Sequence, residues 1–338
     1  MRALKVEAPW GLDAIQVIAA PDPTPGPGEV LVRMRAVSLN YRDLLMVGGI
    51  YGRGSGKGGA ITPFSDGCGV VEAVGPGVTR VQVGDRVATL FFQNWISGPA
   101  TQEKLSSSLG FPIPGAGREL AVFSQKGVSK VPDFLSDQQV STLPCAALTA
   151  WRALFEDSRL QPGDTVVLQG TGGVSIFGLQ FAHAAGYRTI ITSSSDEKLE
   201  RAKALGADRT INYRQTPEWG REVRDATGGR GADFILEVGG GGTIEQSMRA
   251  VRIGGHIAVV GVVAGPGAGF NPASLIGNSA KLQGVSVGSR DMFEAMCEAI
   301  ALKGIQPVVD KLFPWTEAKA AFAAMQAGEH FGKIVLEF

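Results

Sequence analysis

Val166-Val167-Leu168-Gln169, then Gly170-Thr171-Gly172-Gly173-Val174-Ser175, then the apolar stretch Ile176–Gly186, is the segment on which the fold turns. A short β-branched run, a glycine cluster and a longer apolar run read as strand, tight turn and helix. In a dinucleotide site the first glycine makes the turn, the second lets backbone N–H groups approach a pyrophosphate, and the helix N-terminus adds partial positive charge. Gly170, Thr171, Gly172, Gly173 and Val174 are the candidate cradle, with Ser175 where the fingerprint has its third glycine. A purely structural turn is the alternative. The strand–helix setting and the units that follow favour a cofactor.

Downstream, strands predicted at Thr189–Thr192, Thr210–Asn212, Asp233–Val238, His256–Val260 and Leu282–Val287 alternate with helices at Glu197–Leu205 and Ile244–Val251. Such alternation means a parallel sheet with helices on both faces. Upstream, from Ala3 to about Lys130, short β-rich runs (Ala3–Glu7, Val30–Leu39, Gly69–Val74, Arg86–Leu90) are punctuated by Pro25-Gly26-Pro27-Gly28 and Gly75-Pro76-Gly77. That is the pattern of an irregular β domain. After Ser289 two amphipathic helices, Met292–Leu302 and Glu317–Ala327, frame short strands at Val308–Phe313 and Lys333–Phe338. The expected fold is α/β, with a β-rich domain over 1–130 and 290–338 and a doubly wound nucleotide-binding domain over 131–289.

Composition narrows the function. The 338 residues carry 32 Lys+Arg against 32 Asp+Glu, with no basic run, so nucleic acid and anionic membrane surfaces are not indicated as partners. No apolar stretch approaches the 18 or so residues of a membrane span, and the N-terminus has no apolar signal region, which predicts a cytoplasmic protein. Cys68, Cys145 and Cys297 are odd in number and far apart, the spacing of buried free thiols rather than of a disulfide framework or a zinc cluster. The 47 glycines, about twice the average share of about 7%, include seven between Gly48 and Gly59 that no motif explains. A phosphate-loop reading of Gly52–Gly58 fails, because Gly58 follows Gly56-Lys57 and Tyr51 stands where the first glycine belongs.

The second strand of the sheet ends at Thr192-Ser193-Ser194-Ser195, where an NAD site would place a carboxylate on the ribose hydroxyls. Ser193 and Ser194 leave room for a 2′-phosphate. Lys198, on the first turn of the next helix, is placed to reach it, and a hydrogen bond to a charged group is worth about 1.5–3 kcal/mol. A solvated lysine, and a capping box from Ser194 to Glu197, are the plain alternatives. NADPH is expected, with NADH as the alternative should Asp196 turn its carboxylate to the ribose.

Gly75-Pro76-Gly77-Val78 leading to Val83-Gly84-Asp85-Arg86-Val87, then Leu143-Pro144-Cys145-Ala146-Ala147-Leu148-Thr149-Ala150-Trp151 ahead of the glycine turn, resembles the medium-chain dehydrogenase/reductase superfamily along the whole chain. It is most similar to the zinc-free branch of quinone oxidoreductases and alcohol-dehydrogenase-like proteins. The resemblance implies a GroES-like β-rich catalytic domain, a Rossmann domain and a homodimer formed through the sheet edge around Leu282–Val287. Where zinc-dependent relatives hold a catalytic metal with Cys and His, this chain has Asn40 and Ser65, leaving only Asp66 at a matching position. A catalytic Zn²⁺ needs about three ligands, the 91–118 lobe has none of the structural cysteines, and His183, His256 and His330 lack ligand spacing, so no zinc is expected.

Without a Lewis acid, alcohol oxidation is harder and reduction of an already electrophilic substrate easier. A quinone or α,β-unsaturated carbonyl accepts hydride once donors polarise its oxygen, and one such donor is worth about 10²–10³ in rate elsewhere. The candidate catalytic residues are Asn40, Tyr41 and Tyr51. The resemblance places Asn40 near the nicotinamide and Tyr51 at the substrate, while Leu45 replaces a tyrosine of some members. Asn40 is also a competent turn former, and Arg42 and Asp43 are candidates for a pair or a helix cap. Thr149 resembles a nicotinamide contact, against a plain back-bonding hydroxyl. Tyr213 matches a position beside the adenosine end, against core packing. Gly261, after the fifth strand, matches a close backbone approach to the nicotinamide, against a loop glycine. The expected function is a zinc-independent, NADPH-dependent quinone or enone reductase. A metal-free NAD(P)-dependent alcohol dehydrogenase and a non-catalytic NADPH-binding protein are the alternatives.

Overall fold

The β-branched runs of the first third form short antiparallel strands, and the alternating pattern beyond residue 160 forms parallel strands joined by helices, as the two periodicities require. The computed structural model describes residues 1–50, 59–265 and 271–338. In chain order the elements are β1 (Arg2–Lys5), β2 (Gln16–Ala19), β3 (Glu29–Ser38), α1 (Tyr41–Val47), β4 (Asp66–Val74), β5 (Arg86–Thr89), α2 (Gln102–Leu105), β6 (Leu120–Ser124), β7 (Val128–Lys130) and α3 (Asp137–Ser141). There follow α4 (Leu148–Trp151), β8 (Thr165–Gln169), α5 (Gly173–Ala184), β9 (Arg188–Ser193), α6 (Asp196–Ala204), β10 (Arg209–Asn212), α7 (Trp219–Ala226), β11 (Ala232–Glu237), α8 (Ile244–Ala250), β12 (Val251–Val259), α9 (Ala273–Asn278) and β13 (Lys281–Gly284). The chain closes with α10 (Arg290–Lys303), β14 (Val309–Pro314), α11 (Ala318–Ala327) and β15 (Lys333–Glu337).

Two units divide these elements: Met1–Leu148 with Val287–Phe338, and Thr149–Ser286. In the first, strands are ordered β14-β15-β3-β4-β5-β7, with β6 also on β3. β3 is the hub, antiparallel to β15, β4 and β6. Phe64, fully buried against Phe322 with ring centroids 5.6 Å apart, takes φ 71° immediately before β4. That left-handed conformation is costly for a bulky residue and here sets the turn that delivers Ser65 and Asp66. The division falls later than the expected 130/131 boundary for a physical reason. Ser38 donates its hydroxyl proton to the Ser141 carbonyl (2.9 Å) and the Cys145 N–H donates to Asp66 (3.0 Å), tying residues 137–148 to the first unit.

The second unit is a six-stranded parallel sheet in the order β10-β9-β8-β11-β12-β13. β8 and β11 are buried along their whole length, as strands covered on both faces are. The chain leaves β8 toward β9 on one side and meets β11 on the other, so the strand order reverses beside β8, the position at which such sheets bind ligands. Helix α5 lies close because Gly178 lacks a side chain: a Cβ there would sit 2.9 Å from Leu168 and 3.1 Å from Leu236. Residues 143–156 form no single α-helix: π-helical turns at Leu143–Ala147 and Arg152–Glu156 stand on either side of α4.

Candidate functional site

Every candidate cofactor residue after Thr149 lies at or beyond the carboxyl end of a strand of one parallel sheet. Gly170 follows β8 with φ 69°, and Gly172 stands at the N-cap of α5 with no side-chain cap. A Cβ added to either glycine would meet nothing within 4 Å, so neither is demanded by packing. Open space before an uncapped helix N-terminus, beside Thr171, Gly173 and Val174, suits a pyrophosphate. Ser175 does not line that space: buried, it donates to the Gln169 carbonyl (2.5 Å) and closes the turn from inside. The close helix–strand approach that the third fingerprint glycine normally allows falls to Gly178, which the motif spacing did not single out. Gly261 has a packing reason of its own, since a Cβ there would sit 2.8 Å from the Val238 carbonyl oxygen.

At the end of β9 the expected capping is shifted by one residue. Ser195, not Ser194, is the N-cap of α6, accepting from the Lys198 N–H (3.3 Å), because β9 runs on through Ser193 and the helix begins only at Asp196. The Asp196 carboxylate is committed: one oxygen accepts from Asn212 Nδ2 (2.7 Å), the other from Gln215 Nε2 (2.9 Å). Tyr213 donates its backbone N–H to the Ser193 carbonyl (3.0 Å), and its ring is 41% exposed, which rules out core packing. Ser193, Lys198 and Tyr213 are thus brought to adjoining strand ends, while Thr149 is buried on α4.

A buried network missed by motif reading ties this edge together. Gln169, the residue before Gly170, donates to Glu237 Oε2 and to Ser247 Oγ, both at 2.7 Å. Its Oε1 accepts from the Val238 N–H (3.1 Å) and the Gly239 N–H (3.3 Å). Glu237, fully buried, also accepts from the N–H groups of Gly239 (2.9 Å) and Gly240 (3.0 Å) and from the hydroxyls of Thr243 and Ser247. The carboxylate therefore pins the glycine loop after β11 to the end of β8.

The first unit holds the candidate catalytic residues. Asn40 stands between β3 and α1 as the helix N-cap, and its backbone N–H donates to Asp43 Oδ2 (2.8 Å), so Asp43 supports the cap from the third helical position. Arg42 donates to the Leu109 carbonyl (2.7 Å), and its charge also draws on the Asp43 carboxyl. The Asn40 side chain joins a buried polar chain. Lys333 Nζ donates to Asn40 Oδ1 (2.6 Å) and to the Leu39 carbonyl (2.5 Å); Asn40 Nδ2 reaches Ser65 Oγ at 3.4 Å; the Ser65 hydroxyl donates to Asp66 Oδ1 (2.6 Å); and the Cys145 N–H donates to Asp66 Oδ2 (3.0 Å). Burial raises the pKa of Asp66 and lowers that of Lys333, while Asp66 draws the lysine back up. Tyr41, on the first turn of α1, is 40% exposed, and Tyr51 lies outside the described residues, as does most of the Gly48–Gly59 loop.

Residues 26–133 match the model of the alcohol dehydrogenase GroES-like domain, and residues 173–301 that of the zinc-binding dehydrogenases. A zinc-type alcohol dehydrogenase-like protein of Schizosaccharomyces pombe is 43% identical over 317 residues, 92% of this chain and 91% of its own. The chain belongs to the medium-chain dehydrogenase/reductase superfamily. A solved NAD-dependent alcohol dehydrogenase superposes with TM-score 0.91 at 31% identity over the whole of both chains. Two mycobacterial structures, each 27% identical over the whole of both chains, are a complex with NADPH (TM-score 0.85) and a quinone oxidoreductase (TM-score 0.82). The chain is accordingly an oxidoreductase with a nicotinamide cofactor, for which the open cradle at Gly170–Gly173 fits.

Zinc, which one family model carries in its name, is a separate matter, and the donor set of this medium-chain dehydrogenase does not fit it. Asn40 turns its oxygen to an ammonium, Ser65 is a neutral hydroxyl, and both Asp66 oxygens already accept hydrogen bonds. Burial, with Asp66 nearby, raises the pKa of the Cys145 thiol, and a thiol binds zinc as thiolate. Among the described residues no group of three or more His, Cys, Asp or Glu could hold a metal.

Proposed function

We propose that this medium-chain dehydrogenase is a zinc-independent, NADPH-dependent reductase of quinones or α,β-unsaturated carbonyls. The observation that carries the reading is the substitution of a hydrogen-bonded chain, Asn40–Ser65–Asp66 with Lys333 behind it, for a metal-ligand set. Such a chain offers N–H donors to a developing oxyanion and no metal-bound hydroxide, which suits a substrate that is already an electrophile. The nicotinamide supplies the hydride when bound. Asn40 polarises the substrate oxygen, and Tyr41 and Tyr51 are the further hydroxyl donors of the proposal. NADPH is favoured because Asp196, the one carboxylate that could take the ribose hydroxyls, spends both oxygens on Asn212 and Gln215, leaving Ser193, Ser194 and Lys198 to the 2′-phosphate and Thr149, Tyr213 and Gly261 to the rest of the cofactor.

The second reading, a metal-free alcohol dehydrogenase, is favoured by the likeness to an NAD-dependent alcohol dehydrogenase. Turnover of quinones, enones and alcohols with NADPH and NADH, alongside metal analysis, tests both. Reduction of quinones or enones by NADPH in metal-free protein is expected. Alcohol oxidation alone, or one tightly held zinc per chain on which turnover depends, would overturn the proposal, and tight NADPH binding without any turnover would leave a binding protein.

A further inference from the structure

We infer that Lys333 is the positioning residue for the Asn40 donor: its ammonium holds the Asn40 side-chain oxygen and so leaves the Asn40 NH₂ group as a polarised donor to the substrate oxygen. The inference rests on the proposed function and goes beyond it by naming what fixes and charges the donor.

A side-chain amide has two faces of nearly equal shape, and only its partners decide which is presented. Lysine donates and never accepts, so a Lys333 Nζ 2.6 Å from the amide admits only the oxygen on that side. The other end is fixed as well. The Ser65 hydroxyl spends its proton on Asp66 Oδ1 at 2.6 Å, so toward Asn40 Nδ2 it offers only a lone pair. The chain therefore has one direction, from ammonium through amide and hydroxyl to carboxylate. Nδ2 carries two protons, and Ser65 takes one of them over a long 3.4 Å contact. The amide also acts on Asp66, so a ligand oxygen takes the second proton in competition with that carboxylate, at an Asn40 that retains 8% exposure.

The ammonium does more than orient. A positive charge on the amide oxygen draws electron density from the nitrogen, and in a site sealed from water that polarisation is transmitted with little screening. Lys333 is placed by sheet pairing rather than by a loop: it opens β15, whose next residue, Ile334, accepts from the Leu39 N–H at 3.0 Å. It also supplies positive charge to the buried carboxylate Asp66 and, behind Arg42, to Asp43.

The test is a double-mutant cycle on NADPH-driven reduction of the best quinone or enone, using the full chain as wild type, Lys333→Met, Asn40→Ala and the double variant. Lys333→Met is expected to lower kcat at least tenfold with KM for NADPH within twofold of wild type, and to lower it no further once Asn40 is alanine. A double variant whose loss equals the product of the two single losses would overturn the inference while leaving Asn40 a donor. Wild-type kcat in Asn40→Ala, or no turnover of any quinone or enone by wild type, would overturn the proposed function and the inference with it. Should Lys333→Met fail to fold because Asp66 is left unbalanced, the same cycle is run in an Asp66→Asn background, where the coupling between positions 333 and 40 must persist.

Discussion

Replacing Asp43 by asparagine is a direct test of how the N-terminus of α1, and hence Asn40, is held. Burial raises the Asp43 carboxyl from 3.8 to about 6, against the pull of Arg42 and the Asn40 N–H. The native state thus keeps this proton to higher pH than the unfolded chain does. Stability from this group is present at low pH and lost as pH rises through the window from 3.8 to about 6, which is the reverse of an ion-paired aspartate. At about 1.4 kcal/mol per tenfold, the full cost of ionising Asp43 in place is about 3 kcal/mol, of which roughly half is already felt at pH 5 and all of it at pH 7.5. Asparagine keeps an oxygen for the Asn40 N–H, now 2.8 Å from Asp43 Oδ2, and puts an NH₂ where Oδ1 has no hydrogen-bond partner. That orphan costs a pH-independent ~1–3 kcal/mol. The variant should therefore gain on the order of 1–2 kcal/mol relative to wild type between pH 5 and pH 7.5, whatever its absolute stability. Hydrogen exchange of β3 and β4 amides, corrected for intrinsic rates, reads the opening free energy of the first unit without assuming that the whole chain unfolds as one. A difference between variant and wild type that is flat with pH, or that shifts in favour of wild type as pH rises, would refute the reasoning.

Three further outcomes are expected. Lys198→Ala should raise KM for NADPH at least tenfold, the loss of a charged hydrogen bond of about 1.5–3 kcal/mol, while sparing NADH; equal effects on both would place the 2′-phosphate elsewhere. Glu237→Ala should destabilise the second unit by about 3 kcal/mol or more, because the Gly239 and Gly240 N–H groups and the Thr243 and Ser247 hydroxyls lose their acceptor together, and weaken NADPH binding; urea unfolding within about 1 kcal/mol of wild type would show that the loop holds itself. Light scattering should find a homodimer, since β13 pairs only with β12 and leaves its other edge for a second copy among the described residues; a monomer at micromolar concentration would contradict that assembly.

Features written in consecutive residues were legible in the sequence. The run from Val166 to Ser175 carries its own strand, turn and helix start, and β8 covers the expected Val166–Gln169 with one residue more. Short elements with few buried positions were not: α7 buries little beyond Trp219 and Val223, and α9 buries nothing. The Ser194 capping box failed because Ser193, Ser194 and Ser195 are all capable N-caps, and only the true end of β9 chooses among them.

Harder to read were groups whose partners are distant in sequence. Asn40 could be singled out as a substitution at a position where relatives have a metal ligand, yet the residue that gives its amide a direction is 293 positions away, in a strand that the sequence marks only by the short apolar run Ile334–Leu336. Lysine in such a strand reads as an outward-facing residue. It is instead buried, because β15 lies against β3 in a register that places Val335 opposite Ser38 and so brings Lys333 to the end of β3, where Leu39 and Asn40 leave the sheet. A one-residue slip of that register would move the ammonium to the other face. The orientation of the donor is therefore a property of strand pairing, and sequence reasoning could reach it only by fixing the register of two strands at opposite ends of the chain.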